Sequence, residues 1–157
     1  MLIDAKNVVK AFGAFKAVDD ASVSVEEGDI LGLIGPNGAG KSTFFNCLTG
    51  DMAPTSGSVH FAGVDVTKAP PEERARLGLA RSFQVPLTFE SMSVLDNVTI
   101  GALLRYPHAK EAGARARVVL DRVGLGRLAD TPAKSLGTPG RKRLEIDHGA
   151  PIREILA

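Results

Sequence analysis

The stretch Gly35–Thr43 constrains this chain more than any other, because it fits the phosphate-binding pattern G-x-x-x-x-G-K-[ST]. Gly38 and Gly40 allow left-handed backbone conformations and a close approach of an anion. Successive backbone N–H groups of such a turn point at nucleotide phosphates, and a helix that begins near Lys41 adds those of its first turn. The pattern therefore predicts a nucleotide-phosphate site rather than a glycine-rich loop without a ligand.

The side chains after the glycines supply the remaining chemistry of this loop. Lys41 can reach the terminal phosphates as a point charge, and the Ser42 hydroxyl is placed to ligate Mg²⁺. The predicted nucleotide-binding residues follow one another along the turn and the start of the helix: Asn37, Gly38, Ala39, Gly40, Lys41, Ser42 and Thr43. Ile30–Ile34 before the loop is typical of a buried strand, and Phe44–Leu48 after it is typical of a helix.

The composition is that of one globular domain of ordinary size. The chain has 157 residues, 44% of them hydrophobic, which is enough for a real core. With 19 basic and 18 acidic residues the net charge is near zero, which argues against a broad nucleic-acid surface. Cys47 is the single cysteine, so we expect a reducing cytoplasm, and a small core residue rather than a reactive thiol. No apolar run reaches the roughly 18 residues of a membrane span, so a membrane role would need a partner.

The N-terminal part of the chain predicts an antiparallel β layer. Residues 2–12 alternate in part between apolar and polar side chains, 21–25 alternate cleanly, and 58–62 show the same pattern. Leu79–Phe83 is a further strand candidate, which would present Gln84 at its end.

Helices are indicated by their start and stop signals. Gly50 closes a helix predicted over Lys41–Thr49. Pro70 and Pro71 begin a short helix that ends near Gly78, because proline suits the first positions of a helix.

Residues 85–135 are predicted to be a mostly helical insertion in the α/β core. One helix begins at Ser93, and a second spans Lys110–Val123. We therefore divide the chain into a nucleotide-binding core at 1–84, a helical subdomain at 85–135 and a tail at 136–157. In the tail, a loop precedes a helix that Asp-His-Gly-Ala-Pro would soon interrupt.

Four stretches together resemble the ATPase subunits of ATP-binding-cassette (ABC) transporters, and most closely the branched-chain amino-acid uptake type. They are Lys10–Gly13 followed by Val18, Glu27–Thr43, Ala80–Gln84, and Thr88–Phe89 with Met92–Val98. This combination is more specific than the phosphate loop alone, which many kinases and GTPases share. The resemblance implies an α/β fold with a P-loop NTPase core, an N-terminal antiparallel β layer and a mostly helical subdomain, incomplete at the C-terminus.

The resemblance also implies roles for particular side chains with ATP and Mg²⁺ as cofactors. Phe12 would stack on adenine, and Gln84 would touch Mg²⁺ and the attacking water. Lys41 and Gln84 are then the implied catalytic residues, and Ser42 and Gln84 the implied Mg²⁺ ligands. On the residues alone, Phe12 remains open as an ordinary, partly buried aromatic, and Gln84 as a solvated glutamine at a strand end.

Two features depart from the family pattern. Leu136–Gly140 lies where the family's signature loop presents N–H groups to ATP on the opposite subunit, and Pro139 has no N–H to offer. Arg141–Arg143 could offset this by charge, but they resemble a solvated helix face.

The family's apolar strand ending in Asp-Glu, whose Glu is the general base, has no counterpart here. We therefore expect exposed apolar surface beside the phosphate-loop strand. The family also has a switch histidine further along the chain, and His148 lies too early in the sequence to be that residue.

Three functions stay open on this sequence. The first is an ATPase subunit that powers import of branched-chain amino acids or similar small solutes. The second is a truncated or frame-shifted module that binds ATP without hydrolysing it, and the third is a non-transport phosphate-loop ATPase. The resemblance implies membrane permease subunits and a second ATPase subunit as partners, with no nucleic acid and no direct membrane span. It also implies a cytoplasmic protein, peripheral on the inner face of the cell membrane.

Overall fold

The computed structural model describes residues 1–83 and 85–149, with side chains as far as residue 144. The chain divides into two compact units, Met1–Leu79 and Ala80–Ala157, which we call unit 1 and unit 2. Each is described by itself. The finer three-part division at residues 84 and 135 remains a prediction.

Unit 1 contains a four-stranded antiparallel sheet. Its strands are β1 (Ile3–Phe12), β2 (Phe15–Val25), β3 (Ser56–Phe61) and β4 (Val64–Asp65), in the spatial order β2-β1-β3-β4. This confirms the predicted antiparallel β layer, although β2 begins six residues earlier than the alternation at 21–25 indicated.

One face of the sheet is apolar because alternate side chains point to the same side. Val59 and Phe61 on β3 are buried, and Ala5 on β1 pairs directly with Val59. The register of β1 shifts after Ala5, so that Val8, three residues on, is also buried. This irregularity explains why residues 2–12 alternate only in part.

Two helices complete unit 1 and match their predicted bounds. Helix α1 spans Lys41–Thr49 and is capped by Gly50, and helix α2 spans Pro71–Leu77 and is capped by Gly78. The buried residues of α1 and the sheet form one core: Ala5, Val8, Val18, Phe44, Cys47, Val59, Phe61 and Val66. Cys47 is buried, which confirms the prediction of a core residue, and burial raises the pKa of its thiol.

Arg74 on α2 is an almost fully buried cation, with only 1% of its surface exposed. Its guanidinium donates to the main-chain oxygens of Cys47 at 2.9 Å and Leu48 at 2.7 Å, both in the last turn of α1. It also donates to Ala69 O at 2.9 Å and Thr67 O at 3.3 Å. Arg74 therefore satisfies the C-terminal carbonyls of α1, where a cation also opposes the negative end of the helix dipole. Burial lowers its pKa.

Unit 2 is helical, as predicted. Helix α3 spans Val94–Leu103, with the Ser93 side chain accepting from Asp96 N, and helix α4 spans Ala109–Arg122. Two 3₁₀ turns, Gly126–Leu128 and Ala133–Ser135, lead to helix α5 at Thr138–Gly149. Their apolar faces share a core: Val94, Val98, Ala116, Val119, Leu120, Leu125, Ala129, Ala133, Leu136 and Leu144. In the described part of the chain, no helix combines the length and hydrophobicity needed to cross a membrane.

The predicted strands at Ile30–Ile34 and Leu79–Phe83 are wrong, because neither segment forms a strand. Ile30 and Ile34 are 102% and 94% exposed, which confirms the expected exposed apolar surface but not the strand itself. A strand requires hydrogen-bond partners on a neighbouring strand. Within residues 1–83 and 85–149, the sheet consists of β1, β2, β3 and β4, and none of these strands pairs with either segment.

The tail also differs from its prediction. Helix α5 begins at Thr138, so Pro139 lies in its first turn and not in a loop. A proline is tolerated there because the first N–H groups of a helix have no intrahelical acceptor. The helix continues through Asp147 to Gly149, so the predicted interruption at residues 147–151 is wrong as far as residue 149.

We predict that Arg74→Met lowers the free energy of unfolding by at least about 2 kcal/mol, because each buried carbonyl left without a donor costs roughly 1–3 kcal/mol. Urea denaturation followed by circular dichroism measures this change. Arg76→Met is the matched control, since Arg76 lies on the same helix but is exposed, and we expect it to stay within about 0.5 kcal/mol of the parent. Equal losses in both variants would contradict the role of Arg74.

Candidate functional site

The phosphate loop turns back on itself through two left-handed glycines before α1 begins. Gly38 has φ +85° and Gly40 has φ +80°, and Gly40 is the N-cap of α1. The first bond of the helix runs from Phe44 N to Gly40 O at 2.8 Å. The N–H groups of Lys41, Ser42 and Thr43 precede that bond and belong to the positive end of the helix.

Gly40 is fixed by its contact with the sheet as well as by its conformation. A Cβ added there would lie 2.0 Å from Ala17 O on β2, so only glycine fits. Gly38 has the same handedness, but a Cβ at that position would meet nothing within 4 Å. The loop therefore rests on β2 at Gly40 and is open to solvent at Gly38.

Lys41 folds back over the loop that precedes it. Its Nζ donates to Gly35 O and to Pro36 O, both at 2.6 Å. The ammonium group thus already lies at the loop, and a phosphate bound there would compete with two neutral carbonyls for it. A charged acceptor forms the stronger hydrogen bond with an ammonium group.

The donors of this loop fit a nucleotide phosphate with its cation. Backbone N–H groups at a helix N-terminus and the Lys41 ammonium suit phosphate oxygens. The Ser42 side chain is exposed at the first turn of α1, and a hydroxyl oxygen is a ligand of the kind that Mg²⁺ takes. Asn37 and Ala39 complete the turn, with Ala39 N donating to Pro36 O at 3.3 Å.

Phe12 lies at the end of β1, where the chain turns into β2. Its side chain is 51% exposed, and Lys10 Nζ lies 5.3 Å from the centre of its ring. Phe12 pairs with Phe15 at the start of β2, the strand against which Gly40 packs two residues further on. The structure thus connects Phe12 and the loop through the first residues of β2, and about half of the Phe12 surface is exposed.

Gln84 lies outside the described residues, so its predicted contacts with Mg²⁺ and water stay predictions. The residues before it are described. The Arg81 guanidinium lies 4.6 Å from the centre of the Phe83 ring, a distance typical of a cation–π contact.

Arg141, on the first part of α5, is not the solvated residue that the sequence indicated. Its side chain donates to Leu136 O and Lys134 O, both at 3.1 Å, and to Glu90 Oε1 at 2.6 Å. Lys142 Nζ donates to Phe83 O. Arg143 is exposed, as predicted for the helix face.

Asn97 is a second polar residue that sequence reasoning missed. It is fully buried on α3, where its amide donates to Phe89 O at 3.0 Å and Ser93 O at 2.8 Å and accepts from Phe89 N at 2.8 Å. Asn97 opens the triplet Asn97-Val98-Thr99, which matches a glycosylation acceptor, but its buried amide instead binds the main chain of Phe89 and Ser93. The signal was weak: one asparagine within an apolar helical stripe.

Comparison with known proteins agrees with this geometry. Residues 18–148 match the family model described as ABC transporter. The chain is 37% identical over 158 residues to the probable branched-chain amino acid transport ATP-binding protein LivG of Methanocaldococcus jannaschii, covering 92% of this chain and 62% of that protein. It is 38% identical over 146 residues to the lipopolysaccharide export system ATP-binding protein LptB of Acidithiobacillus ferridurans, covering 92% and 60%.

Among solved structures, the ADP conformation of MJ1267, an ATP-binding cassette of an ABC transporter, superimposes with a TM-score of 0.81 at 34% identity. The match covers 94% of this chain and 63% of that one. The fold predicted from the sequence is thereby confirmed. The chain spans about three fifths of the length of the curated relatives that it matches, as the 62% coverage shows.

We predict that Gly40→Ala destabilises the protein more than Gly38→Ala. Both substitutions place a Cβ on a left-handed residue, which costs about 1–2 kcal/mol. Only Gly40→Ala also forces the Cβ against Ala17 O, and such overpacking adds roughly 1–3 kcal/mol. Urea unfolding of the two variants measures the difference, and equal midpoints would show that the loop does not rest on β2.

Proposed function

The chain belongs to the ABC transporter family, and we propose that it is an ATP-binding subunit of an importer for branched-chain amino acids or similar small solutes. In this proposal, ATP binding and hydrolysis by the complete cassette drive the transport. The observation that carries the proposal is the phosphate loop on α1, with its left-handed glycines and its folded Lys41. The LivG relatives, whose names state branched-chain amino acid transport, support the choice of solute.

Each predicted site residue has a place in this proposal. The amides of the loop and the Lys41 ammonium hold the phosphates of ATP, and Phe12 stacks on adenine. Asn37, Gly38, Ala39, Gly40 and Thr43 form the backbone cradle. Ser42 and Gln84 hold Mg²⁺, which when bound neutralises charge on the phosphate oxygens.

Hydrolysis is proposed on narrower support than binding. Lys41 and Gln84 are the catalytic residues in this proposal, with Gln84 positioning the attacking water. The turn Leu136–Gly140, at the start of α5, serves ATP held by a second ATPase subunit. Pro139 removes one N–H from the first turn of that helix, which favours binding without turnover as the alternative for this chain.

The exposed apolar surface of unit 2, formed by residues 85–89 and part of α3, suits membrane permease subunits. Large apolar side chains are exposed along residues 85–89 and on α3, with Val85 at 73% and Leu87 at 61%. Exposed apolar side chains that form a contiguous patch typically mark protein-binding surfaces. We propose that this surface faces the permease, which places the protein on the cytoplasmic, inner face of the cell membrane, with no nucleic-acid partner.

A second transport function has support from one relative. The 38% identity to the lipopolysaccharide export protein LptB is slightly higher than the 37% identity to LivG of Methanocaldococcus jannaschii. Export of lipopolysaccharide is therefore the second candidate. Co-purification in detergent with a permease of either system, from cells that contain both, separates the two candidates.

We predict that Lys41→Ala lowers the affinity for Mg-ATP by about tenfold to a hundredfold, because a hydrogen bond between charged groups contributes roughly 1.5–3 kcal/mol. Isothermal titration calorimetry measures the affinity. Lys16→Ala on β2 is the matched control, since Lys16 is exposed and pairs only with Asp19 at 2.9 Å within the described interactions. If both variants bind Mg-ATP as the parent does, the loop is not the nucleotide site.

Steady-state ATP hydrolysis separates turnover from binding alone. If the chain hydrolyses ATP, we expect Lys41→Ala to abolish the activity, because Lys41 contacts the phosphates that react. Release of inorganic phosphate, followed by a coupled assay, measures this rate. Tight binding of Mg-ATP with no phosphate release by the parent chain would support the alternative.

A further inference from the structure

Arg141 uses its planar guanidinium to join three separate acceptors. Nε donates to Leu136 O and Nη2 to Lys134 O, both at 3.1 Å, while Nη1 pairs with Glu90 Oε1 at 2.6 Å. Its own backbone N donates to Gly137 O at 3.0 Å. The residue therefore contacts both sides of the connection that leads into α5, and through Glu90 it also contacts a segment about fifty positions earlier in the chain.

Glu90 belongs to a segment that is bound to the same connection through the main chain. Lys134 N donates to Glu90 O at 3.1 Å, and Ala133 N donates to Met92 O at 2.9 Å. Further along, Ser93 forms a β-bridge with Pro132. The segment 90–93 thus runs antiparallel to 132–134, and the Arg141–Glu90 pair closes this pairing at the end nearest to α5.

The position of this pair argues against a purely stabilising role. The Glu90 side chain is 59% exposed and that of Arg141 30% exposed, and exposed ion pairs contribute little to global stability. The guanidinium nevertheless binds two carbonyls of the connection in a fixed fork, which a lysine cannot reproduce. Its effect should therefore be on the local geometry of the Leu136–Gly140 turn.

We propose that Arg141 is a positioning residue for the Leu136–Gly140 turn, and that Glu90 connects this turn to the surface at residues 85–92. Arg141 holds Lys134 O and Leu136 O at fixed distances from α5. Gly140 lies close above Leu136, since a Cβ at Gly140 would lie 3.3 Å from Leu136 Cβ, so a shift of either residue moves the turn. A partner group that binds the Glu90 carboxylate releases one of the three anchors.

The role of the Glu90–Arg141 link in transport rests on the proposed function, in which residues 85–92 face a permease and the turn faces ATP. The link itself rests only on the hydrogen bonds described above. A cationic side chain of a permease that pairs with Glu90 would loosen the turn, and its departure would restore it. Occupancy of the permease-facing surface would thereby change how the start of α5 is presented to nucleotide.

Hydrogen–deuterium exchange of the whole chain, without nucleotide, tests the link. In Arg141→Met we expect the amides of Lys134, Leu136 and Arg141 to exchange about tenfold faster, because hydrogen bonds made by a charged group are lost. Glu90→Ala should accelerate the same amides by about threefold, although it leaves every bond of the connection to Arg141 in place. Arg141→Lys should fall between Arg141→Met and the parent, since it keeps the charge but not the fork.

The double variant provides the decisive comparison. If Glu90 acts through Arg141, Glu90→Ala has no further effect in the Arg141→Met background. Arg143→Met is the matched control on the same helix, and we expect it to exchange as the parent does. The proposal is overturned if the two effects add, or if amides of Ala109–Arg122 accelerate as much as those of the turn. A failure of ATP binding at Lys41 would leave this measurement unchanged, so the two proposals fail separately.

Discussion

A helix that presents its N-terminus to an anion must satisfy the carbonyls at its other end, and in unit 1 that end lies in the core. Arg74 meets this requirement with one guanidinium, bound to the oxygens of Cys47 and Leu48 and to two carbonyls before α2. A buried cation is costly unless its donors are used. Here four carbonyl oxygens accept from the guanidinium, the negative end of the helix dipole faces it, and the carboxylates of Asp51 and Asp65 also favour its charged form. Arg74 thereby links the C-terminal end of α1, the helix that begins at the phosphate loop, to α2.

The phosphate loop is held by its contacts with α1 and β2 and not by the residues that precede it in the chain. Ile30–Ile34, which should lead into it as a strand, is exposed and unpaired within the described residues, yet Gly38 and Gly40 keep their left-handed conformations. Gly40 contacts the β2 backbone, and Lys41 holds the oxygens of Gly35 and Pro36. Within the described residues, the loop is therefore held by its contacts with α1 and with β2.

Local signals in the sequence predicted what depends on local chemistry. Gly50, Gly78 and Ser93 mark helix ends, and the helices end or begin beside them. The strand at Ile30–Ile34 failed because an apolar run does not show whether a neighbouring strand is present to accept its hydrogen bonds. The phosphate-loop pattern likewise predicted left-handed glycines and a helix that begins at Lys41, and the structure shows both.

Arg74 and Arg141 could not be predicted in this way. An arginine in a sequence looks solvated until the fold shows which carbonyls lack donors. Both residues act on backbone oxygens that other elements leave unsatisfied, and neither the spacing nor the composition of the chain reports those oxygens. Asn97 was missed for the same reason, because its partners on Phe89 and Ser93 become neighbours only once α3 has formed.

The burial of Cys47 gives unit 1 a chemical reporter of its own motion. The thiol is fully buried beneath the carbonyl that Arg74 binds, its pKa is raised, and it is the single cysteine of the chain. Only a transient opening of the core would expose it to an alkylating reagent. The rate of alkylation under native conditions would therefore count how often α1 separates from the sheet, with no label added to the protein.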